Sequence, residues 1–363
     1  MSTLFLAFGV SFFLTLSAIR WAKLHPQFSN DSDFSGPQKF HASAVPRIGG
    51  IGIAGGIAAA AVWLSFGDPA IRHVAALLAL CGTPAFAMGL AEDLTKRVSP
   101  RWRLLATALS AALAVVWLDA TIARTAIVGL DWVVSFPLGA ALLTMFVVSG
   151  VANAVNIIDG FNGLSSMCVV LILISVAYVG FQVDDRLVAT LALAGVGAVM
   201  GFFIWNYPAG LIFLGDGGAY FLGFYVAELA ILLLHRHPNV SPMFPLLVCI
   251  YPVFETVFSI YRRRFLRSLP PSMPDGIHLH SLIFRRVVRW AAGNRSAKAL
   301  TRRNSMTSPY LWMLCMMSVV PAVLFWDNTP ALTAFLVLFA VSYVLLYWRI
   351  VRFKAPRWMV FRR

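Results

Sequence analysis

Four short stretches of this chain gather residue types able to do chemistry, each set between long apolar runs. The first, GLAEDLTKRVSP at 89–100, places the carboxylates of Glu92 and Asp93 side by side, with Lys96 one helical turn beyond Glu92. Adjacent acids suit a divalent cation or a general base, and a lysine suits a phosphate. The plain alternative is a helix end steadied by an i,i+4 Glu–Lys pair. The second, NAVNIIDGFNGL at 153–164, carries Asn153, Asn156, Asp159 and Asn162. Amide side chains offer both donors and acceptors, which fits a nucleobase edge or sugar hydroxyls. A turn rich in Asn and Gly would account for the glycines, but not for Asn153 and Asn156, which share a helix face before the turn begins.

The third stretch, WNYPAGLIFLGDGGAYFLG at 205–223, leaves Asp216 alone between glycines that open directly into a helix. Such an N-terminus can hold phosphate oxygens and a cation together; an N-cap aspartate is the competing reading. The fourth, PDGIHLHSLIFRRVVRW at 274–290, has His278 and His280 flanking one leucine, followed by Arg285 and Arg286. With no further Cys or His close by, zinc is disfavoured. Histidines with arginines better suit phosphate or pyrophosphate, against the alternative of a solvated basic loop. Each cluster is ambiguous by itself. Taken together, acids, amides, a glycine-flanked aspartate and a His/Arg segment describe a site for a polyphosphate substrate held by a divalent metal.

The elements that must position these groups are apolar. Of 363 residues, 60% are hydrophobic and 12% charged, whereas a soluble domain carries about a quarter charged residues. A spanning helix needs about 20 apolar residues. Eleven segments qualify: 2–20, 48–67, 72–91, 102–119, 133–150, 164–182, 187–204, 218–235, 242–260, 310–326 and 330–348. The expected fold is an all-α integral membrane protein, a polytopic bundle of about 11 transmembrane helices in one domain over 1–363. The first segment is not patterned as a signal peptide, because Arg20 and Lys23 follow its apolar run and no basic residue precedes it. Cys81, Cys168, Cys249 and Cys315 fall inside apolar runs and read as small buried hydrophobes.

Lysine and arginine divide unequally between alternate connections, 25 on one side and 4 on the other. The positive-inside rule then places the N-terminus outside and the C-terminus in the cytoplasm, with all four clusters on the cytoplasmic side. A long cytoplasmic His/Arg loop is expected over 262–309 and a basic cytoplasmic tail over 350–363. The net charge of +14 is thus a topology signal with some affinity for anionic lipid, and no nucleic-acid partner is expected.

On these clusters the chain resembles the polyprenyl-phosphate N-acetylhexosamine-1-phosphate transferases, from about residue 38 to 290. Glu92, Asp93 and Lys96 look like that family's acidic-pair-and-lysine motif. Asn153, Asn156, Asp159 and Asn162 look like its Asn/Asp loop, Asp216 like its metal aspartate in Gly-Asp-x-Gly, and His278 and His280 like its histidine motif. PRIGGIGI at 46–53 is similar to its entry to the second helix. Glu92 in place of Asp, Asn162 in place of a second Asp and Ser281 in place of a third histidine depart from the peptidoglycan translocase and favour the surface-polysaccharide branch.

The resemblance implies a bacterial inner-membrane enzyme moving a sugar-1-phosphate from a UDP-N-acetylhexosamine to undecaprenyl phosphate. Asp216 and Asp93 would hold Mg²⁺ or Mn²⁺. Glu92, Asp93 and Asp216 would be catalytic. Lys96, His278, His280 and Arg285 would neutralise phosphate, and Asn153, Asn156, Asp159 and Asn162 would read uridine and amide. A transporter of lipid-linked sugars is the competing class, with Glu228 the clearest interior carboxylate and Glu255 near a helix end; the remaining polar density at one interface suits an enzyme better. Which sugar is used stays open, and a homodimer is among the possible assemblies.

Overall fold

A computed structural model of the chain describes residues 1–25, 30–31, 45–266, 276–288 and 296–352. The basic tail beyond residue 352 therefore lies outside the described residues, as do most of 23–46 and residues 274–275 and 289–290 of the His/Arg stretch. Among the described residues, nine helical stretches are long and apolar enough to cross a membrane.

Helix α1, Ser2–Leu24, is followed by a short antiparallel pairing of Asn30–Asp31 with Val45–Pro46. Helix α2 covers Gly50–Leu64. The span over 69–95 comes in two pieces, α3 Pro69–Cys81 and α4 Thr83–Thr95. Pro84 lacks the N–H that a continuous helix would use, so the ladder breaks around Gly82. Then come α5 Pro100–Leu118, the short α6 Leu130–Val134, and α7 Pro137–Ile158. Helices α8 Leu164–Gln182, α9 Arg186–Asn206 and α10 Gly215–Arg236 complete the inner part. Proline in the first turn opens α3, α4, α5 and α7, where its missing N–H costs nothing.

Among the described residues, nine of the eleven expected segments coincide with helical stretches long enough to span, while the other two and the expected loop differ. The second is a helix of only 15 residues, shorter than a perpendicular crossing needs. Segment 242–260 is divided into α11 Met243–Val248 and α12 Ile250–Tyr261; Pro245 and Pro252 remove two ladder donors around the break. The expected loop over 262–309 is largely helical where described. It has a π-helical turn at Arg262–Leu266, helix α13 at Leu279–Leu282 running into a second π turn at Ile283–Val287, and α14 at Ala297–Leu324. Helix α15, Thr329–Val351, closes the described chain.

Helix α10 is the axis of the bundle, buried at every position from Gly215 to Leu234. Helices α4 and α7 pack against it most extensively, with α2, α5, α8 and α9 around them. On one flank α1 lies along α2 and α9 at close range. A Cβ on Gly197 would fall 2.2 Å from the Leu4 carbonyl, and one on Gly201 2.4 Å from that of Phe8. The small-xxx-small spacing thus lets two backbones touch where lipid supplies no hydrophobic drive. Glu228, midway along α10, is fully buried and has no hydrogen-bond partner among the described residues.

The two ends of the bundle differ. At the end where α10 finishes, Arg124 donates to the carbonyls of Leu234, His237 and Val240 at 3.1, 2.8 and 2.7 Å. Asp185 meets Arg236 Nε at 2.6 Å and His237 Nε2 at 2.8 Å. Burial opposes its charge, yet hydrogen bonds from Arg236, the Val188 N–H and His237 hold that carboxyl below the ordinary carboxylate range. The end where α10 begins holds the acids and amides of the four clusters.

Candidate active site at the head of the central helix

The turn into α10 requires glycine at 215. Its φ is +77°, and a Cβ there would meet the Arg47 carbonyl at 2.0 Å and Asp93 Oδ2 at 2.6 Å. Asp93, in the last turn of α4 and 2% exposed, accepts from the backbone N–H of Asp216 at 2.9 Å and of Gly217 at 2.8 Å. Both of its oxygens therefore cap the first turn of α10, where free N–H groups and the helix dipole favour a negative charge. Gly89, one turn earlier on α4, lets the two backbones approach: a Cβ on it would sit 2.6 Å from Gly217.

Asp216 is not an N-cap. Its carboxylate lies in an arginine pair, with Arg47 Nη2 at 3.2 Å on Oδ1 and Arg103 on Oδ2. Arg47 also reaches toward Asp93, Nε to Oδ1 3.9 Å. Arg103, from the first turn of α5, lies over the Tyr220 ring at 5.7 Å. The Tyr220 hydroxyl donates to Asn153 Oδ1 at 3.3 Å and also engages Asn156. The helix face shared by those two amides thus meets α10 one turn beyond Asp216.

Asp159 ends α7, and the Ser165 hydroxyl donates to it. Burial pushes its carboxyl up to about 6, against the opposing pull of Ser165 and Arg47. Asp93 feels the charges of Arg47, Lys96 and Asp159, so the three aspartates form one electrostatic group. The turn after Asp159 carries the site to the histidines. A Cβ on Gly160 would lie 3.4 Å from His280 Nε2, and the Phe161 ring meets the His280 ring edge-on at 5.4 Å. His278 stacks on His280 at 5.1 Å, and its Nδ1 is 2.9 Å from Glu255 Oε1. Glu255 also accepts from the Leu279 N–H at 3.1 Å and the Tyr343 hydroxyl at 2.6 Å.

The remaining expected residues fall at the edge of this group or outside it. Lys96 is exposed in the left-handed region, φ +56°, at the end of α4. The Glu92 carboxylate accepts from the Val98 N–H at 2.6 Å and so closes the turn into α5. Arg285 is exposed on the second π turn. Asn162 is held against α14. It is 2% exposed; its N–H donates to Asn304 Oδ1 at 2.8 Å, its Nδ2 to Ser305 Oγ at 3.2 Å, and its carbonyl accepts from Ser308 at 2.6 Å. These contacts, mostly through its backbone, fasten the turn to α14, and the buried Asn162 Oδ1 has no hydrogen-bond partner among the described residues. Arg47, Arg103 and Tyr220 are not singled out by the motifs, and Glu255 enters there only as a carboxylate of the competing transporter class. Arg47 sits inside the quoted PRIGGIGI stretch, while Arg103 counted only toward the basic side.

No group of three His, Cys, Asp or Glu side chains forms a metal cage among the described residues. The donor chemistry still fits a hard cation. Mg²⁺ is commonly held by one or two carboxylates with water and substrate phosphate completing the shell, and the carboxylates here carry no soft thiolate beside them. Each Asp93 oxygen accepts one backbone N–H, which leaves a second lone pair on each for a cation. Asp216, Asp93 and Asp159 all interact with Arg47 and supply carboxylates suited to a hard cation.

Residues 75–234, which carry α4 through α10 and with them the acids and amides, match the family model described as Glycosyl transferase family 4. A Bacillus subtilis protein named "Probable undecaprenyl-phosphate N-acetylglucosaminyl 1-phosphate transferase" is 34% identical over 139 residues, 38% of this chain and 38% of that protein. An undecaprenyl-phosphate alpha-N-acetylglucosaminyl 1-phosphate transferase of Thermotoga maritima is 28% identical over 284 residues, 77% of this chain and 81% of that one. A phospho-N-acetylmuramoyl-pentapeptide-transferase of Streptococcus thermophilus is 36% identical over 92 residues, 25% of this chain and 27% of that one. The matched stretch thus spans well under two thirds of the Bacillus relative and most of the Thermotoga one. Through the helices that carry its acidic cluster, this membrane chain is similar to glycosyl transferase family 4 and to bacterial undecaprenyl-phosphate N-acetylglucosaminyl 1-phosphate transferases.

Proposed function

We propose that the chain transfers a sugar-1-phosphate of the N-acetylhexosamine type from a UDP-sugar to undecaprenyl phosphate, starting a cell-envelope polysaccharide. One observation carries this reading. Asp93, Asp159 and Asp216 meet Arg47 and Arg103 at the head of a buried helix, with His278 and His280 reached through the turn after Asp159. An acid-and-arginine cluster at one end of a membrane bundle suits a reaction between a membrane-held phosphate and a soluble diphosphate.

In that reaction an oxygen of the lipid phosphate attacks the β-phosphorus of the UDP-sugar. The bond from that phosphorus to the bridging oxygen breaks, and the oxygen leaves on UMP. Phosphoryl transfer asks mostly for positioning and charge neutralisation. Arg47 and Arg103 are placed to receive diphosphate oxygens, with Lys96 and Arg285 at the exposed rim. Asn153 and Asn156 present amides beside Tyr220 for the nucleoside or the N-acetyl group, and they add no negative charge. Asp93 fixes the turn that carries Asp216, and Glu255 fixes His278. A divalent cation, Mg²⁺ or Mn²⁺, would be held by Asp216 with Asp159 and would neutralise the diphosphate. The lopsided placement of Lys and Arg favours a site facing the cytoplasm, where UDP-sugars are available.

The test is a membrane-fraction assay with undecaprenyl phosphate and a panel of labelled UDP-sugars, read by chromatography of the lipid product. One UDP-N-acetylhexosamine should give a lipid diphosphate-sugar with release of UMP, and excess EDTA should stop it. Full transfer by Asp216→Asn, or turnover unchanged in EDTA, would remove the assignment of the cluster.

A further inference from the structure

Two guanidinium groups share the carboxylate that a cation would need. The Asp216 side chain is 6% exposed and those of Arg103 and Arg47 are 12% and 31% exposed. Each Asp216 oxygen has its own arginine, and the Asp93 oxygens beside it serve the α10 backbone. We propose that Arg47 and Arg103 are diphosphate-binding residues held on Asp216 while the site is empty, so that metal and diphosphate each bind more tightly once the other has bound. This rests on the reading of the cluster as a UDP-sugar site.

Charge supports the coupling. Asp93, Asp159 and Asp216 face Arg47, Arg103 and Lys96, which leaves the group near neutrality. A divalent cation arriving alone must strip the arginines from Asp216 and then lie beside two uncompensated positive charges. A diphosphate arriving alone must draw the same arginines off and leave Asp216 buried without a counter-charge. Arriving together, the two ligands cancel one another: the arginines pass to phosphate oxygens and the carboxylate passes to the metal. Both transfers are short, because Arg47 comes from the connection between the Val45–Pro46 strand and α2 and Arg103 from the first turn of α5, each reaching Asp216 from outside α10. Coupling of this kind is reciprocal by thermodynamic necessity and commonly amounts to 5–150-fold in affinity.

Purified full-length protein in nanodiscs tests this with two probes, Mn²⁺ alone by electron paramagnetic resonance and labelled UDP alone in EDTA by equilibrium dialysis. Arg103→Gln and Arg47→Gln should bind Mn²⁺ about fivefold or more tightly than wild type, and UDP in EDTA correspondingly more weakly. Asp216→Asn should do the opposite for UDP, binding it more tightly in EDTA because both arginines are released. Arg103→Lys keeps the charge but loses the fork and should fall between. If Arg103→Gln fails to fold, Arg47→Gln, on a more exposed side chain, carries the same test. Unchanged or weakened Mn²⁺ binding in the arginine variants, or unchanged UDP binding in Asp216→Asn, would overturn the coupling while wild-type turnover kept the enzyme reading intact. A wild type that bound neither probe would remove both.

Discussion

Replacing Asp93 with asparagine separates two roles that its position permits. The Asp93 carboxylate accepts the N–H groups of Asp216 and Gly217 at 2.9 and 2.8 Å from a buried position at the head of α10. Asparagine has a single acceptor oxygen, so one N–H would face an amide NH₂ instead. A hydrogen bond to a charged group contributes about 1.5–3 kcal/mol net, and a charge at a helix N-terminus about 0.3–1 kcal/mol, more when buried. Because these overlap, the substitution should cost about 2–4 kcal/mol in the local stability of the turn. Melting in micelles should fall by a few degrees, on the order of 5 °C. Asp216 rides on that turn, and a shift of about 1 Å at a reacting centre can cost about 10²-fold in kcat. The shape of the pH–rate profile should nevertheless persist, since a cap exchanges no proton with substrate. Wild-type melting and turnover in Asp93→Asn would refute the capping argument. Wild-type melting with one limb of the pH profile lost would make Asp93 the base instead.

Asp159 should give the enzyme an acid limb. Its carboxyl is raised from 3.8 to about 6 by burial, so in the folded protein it gains full charge only above that value, and the rate should climb through pH 6. Asp159→Asn should flatten that limb, and a limb left in place would assign it elsewhere. For stability the sign is the reverse: a raised acid holds its proton longer when folded, so its contribution is present below 3.8 and lost as pH rises to about 6. Glu255→Gln should lower the melting temperature more than Tyr343→Phe, because it weakens the anchor of His278 and the Leu279 N–H as well as the tyrosine contact. Breaking a buried charged group of this kind costs about 3–5 kcal/mol, against about 1 kcal/mol for one neutral hydrogen bond. Equal losses in the two variants would show that His278 does not depend on Glu255.

The long apolar helices were legible because span length and hydropathy are local properties; α8, α9 and α10 begin and end within a few residues of the expected segments. The split at 242–260 was hidden, since a hydropathy window averages over Pro245 and Pro252 while a helix cannot. The start of α14 at Ala297 was hidden for the opposite reason. Its first turns carry Arg302, Arg303, Asn304 and Ser305, which read as loop although Asn304, Ser305 and Ser308 are buried against the turn at Asn162. At the site, Asp93, Asp159 and Asp216 could be named from their glycine-rich or acidic surroundings. Arg47 and Arg103 could not, because a basic residue at a membrane boundary has an ordinary topological explanation. What distinguishes these two is a contact across 169 residues for Arg47 and one across more than a hundred for Arg103.

The enclosure of α10 also bears on how the chain is made. A helix with Asp216 at its head and Glu228 at its middle is poorly suited to wait in lipid, where an unpaired carboxyl is costly. Nearly every helix that surrounds it, α2, α4, α5, α7, α8 and α9, is synthesised earlier. Chain order alone therefore makes most of the wall of that enclosure before the helix it encloses, so the two carboxyls of α10 emerge after the helices that shield them.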